Sequence, residues 1–144
     1  MSNRERERSA PPVLAIDPGR GKCGLAVVSG DGTPLELRIV CTSCLGQALA
    51  DLVSKHKVAT ILLGDRTTSR HAARVVRASC PSAELAFVDE HMSTLRGRER
   101  YFADHPPRGL WRLVPKGLRT PPEPYDDYVA LVLAEDYLGT FNEG

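Results

Sequence analysis

The sequence predicts an α/β domain: a mixed sheet covered by helices. Three observations carry that expectation. Three short apolar runs (13–17, 24–28 and 35–41) follow one another across links too short to hold a helix. Beyond them, apolar runs alternate with helical stripes. The chain has 144 residues, a length that suits one domain with a sizeable core.

The elements follow in order. The run 13–17 stops at Pro18-Gly19, and a residue before proline is pushed to extended geometry, so Asp17 ends a strand. The link 18–23 contains two glycines and returns into the run 24–28, as an antiparallel hairpin would. Ser29-Gly30-Asp31-Gly32 closes that second strand. In the third strand, Leu35, Leu37 and Ile39 alternate with Glu36, Arg38 and Val40, which predicts one solvated face. Leu45, Ala48, Leu49, Leu52 and Val53 form a helical stripe over 45–57. Residues 59–64 read as a buried strand, and 69–78 as a helix with Ala72, Ala73, Val75 and Val76 inward. A strand over 85–89 and an arginine-rich helix over 93–103 follow. Residues 104–124 hold six prolines and two glycines and read as loop. The helix 127–138 is apolar on most sides and is therefore expected to be well buried.

Composition narrows the function classes. Hydrophobic residues make up 42% and charged residues 26%, the balance of a globular, soluble chain. No apolar run approaches the roughly 20 residues of a membrane-spanning helix. Residues 1–12 (MSNRERERSAPP) lack the apolar core of a secretory signal and predict a disordered charged tail before a domain over 13–141. Four cysteines without an export signal point to reduced thiols and a cytoplasmic protein. The chain is too short for a protein kinase or a two-domain ATPase. The net charge of +1 neither demands nor excludes a polyanionic partner, so the distribution of charge must decide.

Three acidic positions stand out by where they fall. Asp17 ends the first strand, Glu90 follows the last strand, and Asp126 with Asp127 opens the final helix. If the first strand lies parallel to those after the crossovers, these carboxylates meet at one sheet edge. Gathered carboxylates repel unless a cation holds them, and hard oxygen donors suit Mg²⁺ or Mn²⁺. Each has a plain structural reading as well: Asp before Pro-Gly opens turns, and Asp at a helix start caps it.

Other motifs are weaker. Gly19-Arg-Gly-Lys-Cys-Gly24 fits G-x-G-x-x-G, but a strand follows it instead of a helix, so it reads as a hairpin turn. Arg20 and Lys22 in that turn are candidates for contact with a nucleic-acid backbone. Cys41 and Cys44 form a C-x-x-C before a helix, where a redox pair would stand, and ordinary thiols are the plainer reading. The segment 96–119 carries Arg96, Arg98, Arg100, Arg108, Arg112, Lys116 and Arg119 against Glu99 and Asp104. Tyr101, Phe102 and Trp111 interleave, the pattern of a nucleic-acid surface or of a solvated arginine face over core aromatics.

Four blocks together resemble the YqgF/RuvX family of RNase H-like proteins, relatives of the RuvC Holliday-junction resolvases. They are Val13-Leu-Ala-Ile-Asp17-Pro-Gly, Gly24-Leu-Ala-Val, Asp89-Glu90-His-Met-Ser-Thr94, and Asp126 ahead of the final helix. The resemblance covers about residues 13–138. It implies a five-stranded sheet with strand two antiparallel to its neighbours, helices on both faces, and metal-dependent phosphodiester cleavage. It maps the family's acidic residues onto Asp17, Glu90 and Asp126; since a helix start can present either aspartate, Asp127 is a substitute for the last. On this basis Asp17 would bridge two metal ions, and Glu90 and Asp126 would each hold one. Arg20, Lys22, Arg96, Arg98, Arg112 and Lys116 would bind nucleic acid. The family's roles, maturation of ribosomal RNA precursors and resolution of DNA junctions in recombination and repair, become expectations here, and junction resolution would favour a homodimer. The chain departs from the family where Gly64-Asp65-Arg66 replaces Gly-Leu-Pro and Arg20-Gly21-Lys22 replaces Thr-Lys. A nucleic-acid-binding protein without catalysis, built on the basic 96–119 segment, is the competing expectation.

Overall fold

The computed structural model describes residues 10–65, 69–89, 93–106, 113, 115 and 124–142. Five strands form one sheet in the order β3-β2-β1-β4-β5. They are β1 (Val13–Asp17), β2 (Lys22–Val28), β3 (Pro34–Cys41), β4 (Thr60–Gly64) and β5 (Glu84–Val88). The helices are α1 (Leu45–His56), α2 (Ser69–Ser79), α3 (Ser93–Asp104) and α4 (Asp126–Asn142). β2 runs antiparallel to both β1 and β3, while β1, β4 and β5 are mutually parallel. This is the α/β arrangement expected from the order of apolar runs.

Strand periodicity divides the core into two layers. Leu14, Ile16, Leu25, Val27, Ile61 and Leu63 point to one face, which α1 and α2 cover. Val13, Ala15, Ala26, Val28 and Leu62 point to the other, covered by α3 and α4. Tyr128 to Ala134 is buried without interruption, as expected of a helix apolar on all sides. Leu131 and Leu133 are almost wholly buried, and each such side chain contributes roughly 1.5–3 kcal/mol. Among the described residues no helix is long and apolar enough to cross a membrane.

Most element boundaries fall within two residues of the sequence reading, with two differences that matter. β2 begins at Lys22, because Lys22 pairs with Cys41 across the sheet and extends the strand into the glycine link. The second is a correction: β3 does not present one buried and one solvated face. Leu35 is 44% exposed, while Leu37 packs against the α4 layer and Val40 against the α1 layer. Both faces of this edge strand are half covered, since a helix layer reaches it from each side.

Glu36 ties β3 to α1. It accepts hydrogen bonds from Lys55 Nζ at 2.8 Å, His56 Nε2 at 2.9 Å and Arg38 at 2.5 Å. These bonds, Lys55 first, hold its carboxyl down from 4.5 to about 2. A depressed carboxylate stabilises the fold at pH values above 4.5, and that contribution disappears as pH falls towards 2. The network is solvent-accessible, so Glu36→Gln should remove about 1 kcal/mol, or about 3 °C in Tm, at pH 7. The gap should close in acid. A gap in Tm that is the same at pH 7 and at pH 2 would show that the charge is not its source.

Candidate active site

The site is assembled from the carboxyl end of β1 and the first turn of α4. Asp17 closes β1 on the face shared with Val13 and Ala15, the face that α4 covers. Its cross-strand partner is Gly24, and directly opposed antiparallel residues have Cα atoms about 5 Å apart. The backbone of α4 is laid against that glycine. A Cβ on Gly24 would come 2.0 Å from the Asp126 carbonyl oxygen and 2.5 Å from the Asp127 nitrogen. Glycine is therefore required at 24 for the close approach of another backbone. The approach sets the backbone of Asp126 against the strand partner of Asp17.

The two aspartates that open α4 have different surroundings. Asp126 faces β2, where its Oδ2 lies 3.6 Å from Lys22 Nζ. Asp127 turns into its own helix, and its Oδ1 accepts the Tyr128 backbone N–H at 3.0 Å. Burial pushes the Asp127 carboxyl up, against the pull of its backbone hydrogen bonds. An aspartate bonded to first-turn amides stabilises the helix start.

Aromatic packing fixes that start in place. Tyr101 of α3 stacks on His105 at 4.5 Å and meets Tyr128 edge-to-face at 5.6 Å. Burial and a hydrogen bond to Asp104 push the Tyr128 hydroxyl up to about 12. At Gly97, α3 touches α4 so closely that a Cβ would come 2.9 Å from the Val129 Cα. Arg96 and Arg100 complete the seam through Asp136 at 2.5 Å and Glu135 at 2.6 Å.

The rest of the sheet edge frames the site. β4 lies between β1 and β5, so the ends of β1 and β5 are about 9.5 Å apart. Gly64, last in β4, shares the face of Leu62 and places no side chain in that interval. Asp65 follows it and is exposed. Asp89 follows β5 directly. Glu90, the other carboxylate expected here, lies outside the described residues, as do Arg112, Lys116 and Trp111.

Among the described residues no group of three His, Cys, Asp or Glu side chains gathers to hold a metal ion. Asp17 and Asp126 are linked through Gly24, which pairs with the first and packs against the backbone of the second, and their hard oxygen donors are of the kind that fits Mg²⁺ or Mn²⁺. The ammonium of Lys22 beside Asp126 fits the same requirement for positive charge at this edge.

The basic residues divide in a way that the sequence did not anticipate. Arg20 is exposed on the turn after Asp17, and Lys22 is half-exposed beside Asp126. Arg96 is engaged by Asp136, and Arg98 is half-buried on α3. Tyr101 and Phe102 belong to the core under α4, the plainer of their two readings. The sequence reading passed over Arg70, Arg74 and Arg77 on α2, although their spacing places all three on one side of the helix. Cys41 and Cys44 are exposed free thiols with their Sγ atoms 3.4 Å apart.

The architecture is an RNase H-like α/β fold. Compared with protein-family models and with curated proteins, the sequence matches none. Among solved structures the chain is similar to Thermus thermophilus RuvC in complex with Holliday junction substrate, with 16% identity and a TM-score of 0.64. It is also similar to the structure of T. thermophilus RuvC alone, with 17% identity and a TM-score of 0.60. In both comparisons 92% of this chain and 96% of the other are covered.

Proposed function

We propose that this protein is a metal-dependent nuclease of the YqgF/RuvX type that hydrolyses phosphodiester bonds in nucleic acid. The observation that carries the reading is the docking of Asp126 on Gly24, the strand partner of Asp17. It supports a pairing of these two acidic residues at the carboxyl end of the parallel strands β1, β4 and β5, the end where α/β folds bind ligands. Similarity to a RuvC bound to a Holliday junction supports a nucleic-acid substrate.

Asp17, Glu90 and Asp126 would hold Mg²⁺ or Mn²⁺. When bound, such ions supply an activated water and stabilise the oxygens of an in-line displacement. The chain's own residues set the stage. Lys22 offsets part of the Asp126 charge and lowers the electrostatic barrier to an approaching phosphate. Arg20, exposed on the same turn, offers a fork for a phosphate oxygen. Asp127 secures the first turn of α4 and thereby the direction in which Asp126 points. The cellular roles consistent with this chemistry are processing of ribosomal RNA precursor and resolution of DNA junctions, in the cytoplasm. The second of these would use a two-fold dimer.

The test is a cleavage panel with labelled single-stranded RNA, single-stranded DNA, duplex and four-way junction, each with Mg²⁺, Mn²⁺ or EDTA. Products are expected with either ion, with at least about a 10³-fold loss of rate in EDTA, equivalent to about 4 kcal/mol. The preferred substrate then chooses between RNA maturation and junction resolution. Binding in a gel shift with no product in any lane would replace the nuclease with a binding protein.

A further inference from the structure

On the face of the sheet opposite α4, a groove of about 360 Å³ runs between α2 and the edge strand β5. Arg70, Arg74 and Arg77 line it along one side of the helix, and Phe87 lines it from β5. None of the three arginines makes an ion pair with another described residue. Among the described residues Asp65 is the one carboxylate lining the groove, against three guanidiniums. Like charges at helical spacing repel, and nothing in α2 offsets them, since the helix has no acidic residue.

Phe87 is 53% exposed. Leu85, two positions earlier on the same face of β5, packs against the core, so Phe87 extends past the cover of α2. Ser69, at the start of α2, lines the groove too. Its residue is 2% exposed, and its hydroxyl has no hydrogen-bond partner among the described residues.

We propose that this groove binds a single-stranded segment of nucleic acid. Its phosphates lie along Arg70, Arg74 and Arg77, and one unpaired base stacks on Phe87. The seven residue steps from Arg70 to Arg77 rise about 10.5 Å, which is about three phosphate steps of a stacked strand at about 3.4 Å each. A stacking aromatic requires a base free of its own pair, which selects single strands over duplex. Asp65 marks the groove as starting at the carboxyl end of β4, the sheet edge that also holds Asp17. The groove would thus lead a strand away from the site. The proposal rests on the reading of this chain as a nucleic-acid enzyme and adds the class of strand it grips.

The test is fluorescence anisotropy with labelled single-stranded and duplex oligonucleotides in EDTA, at several salt concentrations, using the full chain. Phe87→Ala should weaken single-strand binding about tenfold and leave the salt dependence unchanged. Arg74→Gln should reduce the slope of log K against log salt by about 0.7. Both variants should retain the wild-type circular dichroism spectrum and Tm, since both side chains are exposed. Equal binding by wild type and both variants overturns the groove. Binding of duplex and single strand with equal loss in Phe87→Ala overturns the strand preference. Loss confined to anionic phospholipid vesicles, measured alongside, would assign the arginines to a membrane surface instead. Cleavage by wild type distinguishes the two levels: cleavage with unaltered groove variants refutes only the groove. Weakened binding by the variants without any wild-type cleavage refutes only the nuclease.

Discussion

Gly24→Ala is expected to disable this protein although it adds one methyl group. The new Cβ would stand 2.0 Å from the carbonyl oxygen and 2.1 Å from the carbonyl carbon of Asp126. These are backbone atoms, so no side-chain rotation relieves the clash. Either β2 shifts, which breaks the Asp17 pairing, or the first turn of α4 lifts away. Overpacking costs about 1–3 kcal/mol where side chains can yield. Here the upper end is expected, and about 3 kcal/mol corresponds to a fall in Tm of roughly 10 °C. Cleavage should fall by about 10²-fold or more even in molecules that remain folded, because a shift of about 1 Å in a positioned group has that effect. Gly21→Ala is the matched control, since a Cβ there meets nothing within 4 Å. Thermal melts and cleavage rates of the two variants decide the matter. If they melt together and cleave together, the seating of α4 on β2 does not control the site.

Asp17→Asn should abolish cleavage while leaving the fold intact. The substitution keeps the shape of the side chain and removes its charge, so the expected loss is at least about 10³-fold in rate, or about 4 kcal/mol of barrier. Melting temperature and affinity for nucleic acid should stay close to wild type. Asp126→Asn should behave alike. Asp127→Asn should stay within about tenfold of wild type, because an amide oxygen can still accept the Tyr128 N–H and a neutral group suits a half-buried position. Wild-type cleavage by Asp17→Asn would remove that residue from the chemistry. Equal losses at 126 and 127 would mean that the two aspartates act together.

Much of this architecture was legible because local and global signals agree. The stripe beginning at Leu45 and the proline after Asp17 mark element ends that the structure keeps. The face of β3 was misread because alternation reports polarity and not which layers reach an edge strand; α1 meets Glu36 from one side and α4 covers Leu37 from the other. Asp17 and Asp126 were recognisable as element ends, whereas the docking of the α4 start on the strand partner of Asp17 was not. A glycine opening a strand carries no sign that a helix start will rest on it. The partners of Arg96 and Arg100 lie on α4, 40 and 35 residues away, so the segment looked more basic than its folded surface is. The α2 arginines were passed over for the converse reason. An arginine-bearing helix face reads as solvated until the sheet shows an exposed phenylalanine beside it.

The contact between Gly24 and Asp126 joins positions about a hundred residues apart. Its consequence concerns timing. Chains emerge from the ribosome amino end first, so every strand of the sheet is made before Asp126 appears. Asp17 then stands on a sheet edge while Asp126 is still to be made, so a chain lacking α4 has only one of the two aspartates of the candidate site. The same helix covers the apolar face of the central strands, so the step that buries Ala15, Ala26 and Leu62 is also the step that completes the site. On the proposed nuclease reading, a nascent or partly unfolded chain is thereby kept from cutting the nucleic acid around it, and competence to react becomes a property of the finished fold.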